Sequence, residues 1–104
     1  MTYFMYDVHG DAVDEPDAAT VRTLVVDGLA DPEVANPEVS LTQESGWSLT
    51  AFAGGLLLWE NVEDEAAEAL TLDEIDKEEA ARLFALLAAG EVEEIAALKW
   101  QQSS

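Results

Sequence analysis

The spacing of apolar residues changes several times along the chain, and each change marks an element. Residues 2–8 place Phe4, Tyr6 and Val8 on one side and Tyr3, Met5 and Asp7 on the other. That period of two, rich in aromatics, predicts a strand, which His9-Gly10-Asp11 then breaks. Asp14-Glu15-Pro16-Asp17 reads as a helix start, with an acid cap, a proline in the first turn and acids at the positive end of the dipole. Ala18, Val21, Leu24, Val25 and Leu29 follow at helical spacing. A competing reading makes residues 20–26 a β-branched strand ending at an Asp27-Gly28 turn. The helix is preferred because the apolar stripe continues past the glycine.

Asp31-Pro32 and Asn36-Pro37 bracket a loop, after which Val39, Leu41 and Gln43 alternate with Glu38, Ser40 and Thr42 as a half-buried strand. Two β-rich runs, residues 47–52 and 56–60, flank Ala53-Gly54-Gly55 and predict a hairpin. Residues 61–65 are an acidic loop, and residues 69–72 are a further short strand candidate. Asp76 caps the clearest helix, with Glu79 three residues on in the capping-box position. Ala80, Leu83, Phe84 and Leu87 form its stripe, and Gly90 stops it. A second short helix starts at Glu91, with Val92, Ile95 and Ala96 inward and Lys99 near its negative end. The expected order is β-α-β-β-β-(β)-α-α: an α+β fold with an antiparallel meander of four or five strands and two or three helices on one face. Residues 1–100 form one domain and residues 101–104 a frayed tail.

Composition narrows the function more than the fold. The chain has 104 residues, 23 of them acids, against only Arg22, Lys77, Arg82 and Lys99, for a formal net charge of −19. A phosphate backbone or an anionic membrane surface would be repelled, so neither direct nucleic-acid binding nor membrane association is expected. No apolar run approaches the ~18 residues of a membrane span, and residues 56–59 are only strand-sized. The opening Met1-Thr-Tyr-Phe-Met-Tyr-Asp lacks the basic and apolar regions of a signal peptide. With no cysteine there are no disulfides, thiolate metal sites or thiol nucleophiles. A cytoplasmic protein, monomeric or weakly dimeric, is the expectation.

Candidate chemistry is sparse. His9 lies between Asp7 and Asp11, but a metal site needs three or four converging ligands and there is no second histidine. Asp11, Asp14, Glu15 and Asp17 are close in sequence without the spacing of a calcium loop. Gly54-Gly55 is not followed by a helix, so it is a turn and not a phosphate cradle. Neither an enzyme nor a cofactor is expected.

The acids are unevenly distributed. Residues 60–79 hold ten of them: Glu60, Glu63, Asp64, Glu65, Glu68, Asp73, Glu74, Asp76, Glu78 and Glu79, opposed only by Lys77. Dipole compensation accounts for two or three acids at a helix start, not ten. The surplus suits a surface that meets lysines and arginines, where charge raises the association rate and rejects wrong partners. Glu91, Glu93 and Glu94 extend the same theme. Of Trp47, Trp59 and Trp100, the last, beside a chain end, is the tryptophan expected to be exposed and to serve a partner.

Two stretches carry a resemblance: Pro37-Glu-Val-Ser-Leu-Thr-Gln-Glu-Ser-Gly-Trp-Ser-Leu-Thr through Leu58-Trp-Glu-Asn61, and Leu86-Leu-Ala-Ala-Gly90. Over residues 37–100 the chain resembles the immunity proteins of toxin systems, short acidic cysteine-free α+β domains. The resemblance implies a stoichiometric inhibitor, of the immunity, antitoxin or anti-defence kind. It would bind a basic toxin or nucleic-acid enzyme, sometimes mimicking phosphate charge, and no individual site residue carries over. The partner-binding residues expected from the chain itself are Glu60, Glu63, Asp64, Glu65, Glu68, Asp73, Glu74, Glu78, Glu79 and Trp100. The other reading of the same composition is a housekeeping domain of a halophile, acidic for solubility in salt.

Overall fold

The computed structural model describes residues 2–64, 66 and 68–102. Its strands are β1 (Tyr3–Tyr6), β2 (Ala12–Asp14), β3 (Glu38–Gln43), β4 (Trp47–Phe52), β5 (Leu57–Asn61), β6 (Leu70–Leu72) and β7 (Gln101–Gln102). Helices α1 (Ala18–Leu29), α2 (Lys77–Ala88) and α3 (Val92–Ala96) complete an α+β fold. The strands form one sheet in the order β2-β1-β3-β4-β5-β6-β7, antiparallel throughout.

Seven strands are more than the sequence pattern suggests, and the additions are at the edges. His9-Gly10-Asp11 does not end the sheet; it turns β1 into β2. The Asp7 carboxylate accepts from the backbone N–H groups of His9 (2.9 Å) and Asp11 (3.0 Å), holding that turn closed. Asp14 therefore belongs to β2, and only Asp17 caps α1, accepting from the Thr20 N–H at 2.8 Å. Since β2 and β3 both run antiparallel to β1, they are parallel to each other, and α1 is the crossover between them. The remainder, β3 to β6, is the expected meander. Gln101 and Gln102 do not fray as a tail but pair with Thr71 and Leu70; Ser103 and Ser104 lie outside the described residues. The two edge strands are three and two residues long, which leaves little ladder for another chain to extend. The β4–β5 hairpin lies inside the sheet.

Cross-strand register assigns the two faces of the sheet. One carries Met5, Leu41, Leu49 and Trp59, paired in sequence across β1, β3, β4 and β5. These residues are buried with Val21, Val25 and Leu29 of α1 and Leu83, Phe84 and Leu87 of α2 in a single core. The Asp27-Gly28 pair lies within α1, and its glycine has a packing reason. A Cβ there would meet Val8 Cγ1 at 3.1 Å, so glycine lets the helix approach the sheet closely. Asp76 caps α2 as expected, accepting from the Glu79 N–H at 2.7 Å. The Glu79 carboxylate turns to Arg82.

Candidate acidic docking face

Register also decides where the acid run goes, and it divides the run. Trp47 pairs with Asn61, and the Val62 N–H donates to the Gly46 carbonyl at 2.8 Å. The β5–β6 connection therefore starts beside the β3–β4 turn, at what we term the turn end of the sheet. Leu57 pairs with Leu72, and the Ile75 N–H donates to the Gly55 carbonyl at 2.9 Å. Asp73, Glu74 and Asp76 thus belong to the opposite end, beside the β4–β5 turn. The five residues of β5, about 16 Å at 3.3 Å each, separate the two. The expectation of one continuous face over residues 60–79 is corrected to two groups, because a strand and its antiparallel return carry the chain the length of the sheet between them.

Three of the five acids at the helix-start end have structural partners. Asp76 caps α2, Glu78 pairs with Arg22 of α1, and Glu79 pairs with Arg82 one turn along α2. The Arg82 guanidinium, hydrogen-bonded to Glu79, holds that carboxyl below its ordinary range, and Glu79 in turn raises Arg82. Both pairs are exposed, so each contributes at most a few tenths to 1 kcal/mol. Three of the four basic residues, Arg22, Lys77 and Arg82, lie on α1 and α2.

At the turn end, Glu63 and Asp64 are exposed, as is Glu68 farther along the same connection, while Glu65 lies outside the described residues. The loop is built locally: Asn61 Oδ1 accepts from the Glu63 N–H at 3.0 Å, and Asp64 Oδ1 from the Ala66 N–H at 3.0 Å. Glu44, absent from the sequence-based site, joins them from the β3–β4 turn. The Thr2 backbone N–H and hydroxyl hold its carboxyl below the ordinary range. Its only sequence signal is its place before Ser45-Gly46. Buried Gln43 ties the C-terminal end of α2 to this end of the sheet, donating to the Leu87 carbonyl at 3.2 Å. That contact brings Glu91 and Glu93 to the rim of an open groove of about 420 Å³, which Trp47 and Ser45 also line. Among the described residues, the Arg22–Glu78 and Arg82–Glu79 pairs both involve α2, away from Glu44, Glu63, Asp64, Glu91 and Glu93.

Glu60 stands apart, half-buried on the sheet face away from the helices, where its strand partner is Ser48. Trp100 is not the exposed tryptophan that its place in the sequence suggests. It is half-buried, stacks on Trp59 at 6.1 Å and donates its indole N–H to the Ile95 carbonyl at 2.8 Å. Trp59 stacks in turn on Trp47 at 4.6 Å, so the three indoles form one column. Among the described residues, the exposed large apolar ones are Tyr6, at 45%, and Val62, at 56%. Among the described residues no group of three or more histidine or acidic side chains converges as a metal site, and no helix is long and apolar enough to cross a membrane. No family model, curated protein or solved structure matches the chain.

Proposed function

We propose that this chain is a stoichiometric inhibitor of the immunity or antitoxin kind, which binds a basic effector through the acids at the turn end of the sheet. The observation that carries the reading is the unequal sharing of the four bases. Glu78 and Glu79 have arginine partners, whereas Glu44, Glu63, Asp64, Glu91 and Glu93 project from one end with both ion pairs elsewhere. Like charges held together cost the folded state stability, and a basic partner converts that cost into attraction. The carboxyl groups with resolved shifts, Asp17, Glu44 and Glu79, are all held low, the opposite of what a general acid needs.

The test is whether a basic protein is encoded beside this gene and binds the chain, measured by calorimetry together with that protein's activity. A one-to-one complex that abolishes the activity and weakens between low and ~0.5 M salt is expected. Charge reversal of Glu63, Asp64 and Glu68 to lysine is expected to slow association at least tenfold. A chain that is unfolded in dilute buffer and folds only in molar salt would overturn the reading in favour of salt adaptation.

A further inference from the structure

The face of the sheet opposite the helices has a different character from the rest of the surface. Register places Phe4 and Tyr6 of β1 beside Thr42 and Ser40 of β3, and those beside Ser48 and Thr50 of β4. Leu58 and Thr71 continue the row across β5 and β6. None of these residues is charged, in a chain where 23 of 104 are acids. Among the described residues, carboxylates on this face stand at its margins: Asp14 on the edge strand, Glu38 at the start of β3, Glu44 just past its end and Glu60 near the end of β5. Phe4 and Tyr6 meet edge to face at 5.3 Å, and Tyr6 is one of the two most exposed large apolar residues described. An uncharged centre holding aromatics, inside a charged rim, is the layout of a protein interface.

We propose that this open face is the seat of a basic protein, whose uncharged patch covers Tyr6, Thr50 and Leu58 while its lysines and arginines meet Asp14, Glu38 and Glu60. The proposal rests on the inhibitor reading above and moves the centre of its contact from the turn-end loops to the sheet. Size and charge together select the occupant. Six inter-strand spacings of about 4.8 Å and strands of at most six residues of about 3.3 Å bound the whole face at roughly 570 Å². A standard interface buries about 800 Å² per partner, so an occupant must reach past the uncharged centre onto the rim. A second copy of this chain would bring its own acids to that rim, on a background of −19 per chain. A basic protein brings the opposite sign.

The experiment places a photo-crosslinking benzoylphenylalanine at Thr50 of the full chain, expressed in its own cells, with the same probe at Thr23 on α1 and at Glu63 as comparisons. Adducts are identified by mass spectrometry, and carbodiimide coupling maps any lysines beside Glu38 and Glu60. The expected result is an adduct from Thr50, absent from Thr23, to a protein with a clear excess of lysine and arginine. Its lysines couple to Glu38 or Glu60, and Tyr6→Arg lowers the adduct at least tenfold. Thr50→Arg, checked by its melt, gives the same loss if Tyr6→Arg fails to fold. An adduct to a second copy or to an acidic protein overturns the proposal. A basic partner captured from Glu63 but not from Thr50 removes this face and leaves the inhibitor reading standing. No basic partner from either position ends both.

Discussion

The acids of the β5–β6 connection and those before α2 lie on either side of a three-residue strand in sequence, yet they occupy opposite ends of the sheet. At the helix-start end, Asp76, Glu78 and Glu79 cap a helix or pair with an arginine, so the fold itself accounts for them. The connection's acids hang from a loop closed by Asn61 and Asp64, and their number exceeds what that loop needs. Charge density along a chain is therefore a poor guide to charge function. The useful distinction is whether the fold places a cation or a helix N-terminus beside the carboxylate.

The largest expected effect tests whether the turn end is a built platform. Gly46 has φ of +94°, and a Cβ there would collide with Asn61 Oδ1 and lie 3.0 Å from Glu63 Cβ. Gly46→Ala thus adds backbone strain and disturbs the side chain that closes the acidic loop. A loss of about 1–3 kcal/mol is expected, read in a thermal melt as a fall of several degrees. Gly54, in the β4–β5 turn at the other end, is open: a Cβ there would meet nothing within 4 Å, so Gly54→Ala is expected to be nearly silent. Equal melts for the two variants would remove the idea that the loop is held in place.

Asp76→Ala asks the converse question of the helix-start end. Losing the carboxylate that accepts the Glu79 N–H is expected to cost about 1 kcal/mol, the usual value for an N-cap. Asp64→Ala removes a comparable bond to the Ala66 N–H, but in an exposed loop that caps no helix, and is expected to stay within about 0.5 kcal/mol. Denaturant midpoints for both variants check this. If Asp64→Ala costs as much as Asp76→Ala, the two groups of acids do the same work and the contrast fails.

What is legible in the sequence follows the range of the interactions. The α2 cap, the Gly54-Gly55 hairpin and the stripe of α1 depend on residues a few positions apart, and each is found as expected. β2 and β7 are short runs, Ala-Val-Asp and Gln-Gln, with no strand pattern of their own. They become strands because β1 and β6 present ladders to them. Trp100 reads as exposed because it stands near a chain end, but α3 and β7 fold it over Trp59. The division of the acid run depends on Leu57 meeting Leu72 across the sheet, and no local pattern encodes that register. The same holds for the open face: Phe4 and Tyr6 alternate visibly in sequence, but their place beside Ser40, Thr42 and Thr50 comes only from pairing.

The smallest effect is the most discriminating. Glu63→Gln and Asp64→Asn together remove two of the 19 net negative charges while leaving an acceptor in place for the Ala66 N–H. If these carboxylates serve a partner and not the fold, the double variant melts at or slightly above the parent temperature in dilute buffer, because like-charge repulsion falls. In ~0.5 M salt, where the screening length is a few ångströms, the difference is expected to vanish. Glu78→Gln with Glu79→Gln breaks both arginine pairs, so its melt is expected to fall by a degree or two in dilute buffer. The two sets thus carry opposite signs at low salt and converge at high salt. A Glu63→Gln, Asp64→Asn variant that melts lower than the parent would show that those acids stabilise the fold, and the reason for assigning them to a partner would be gone.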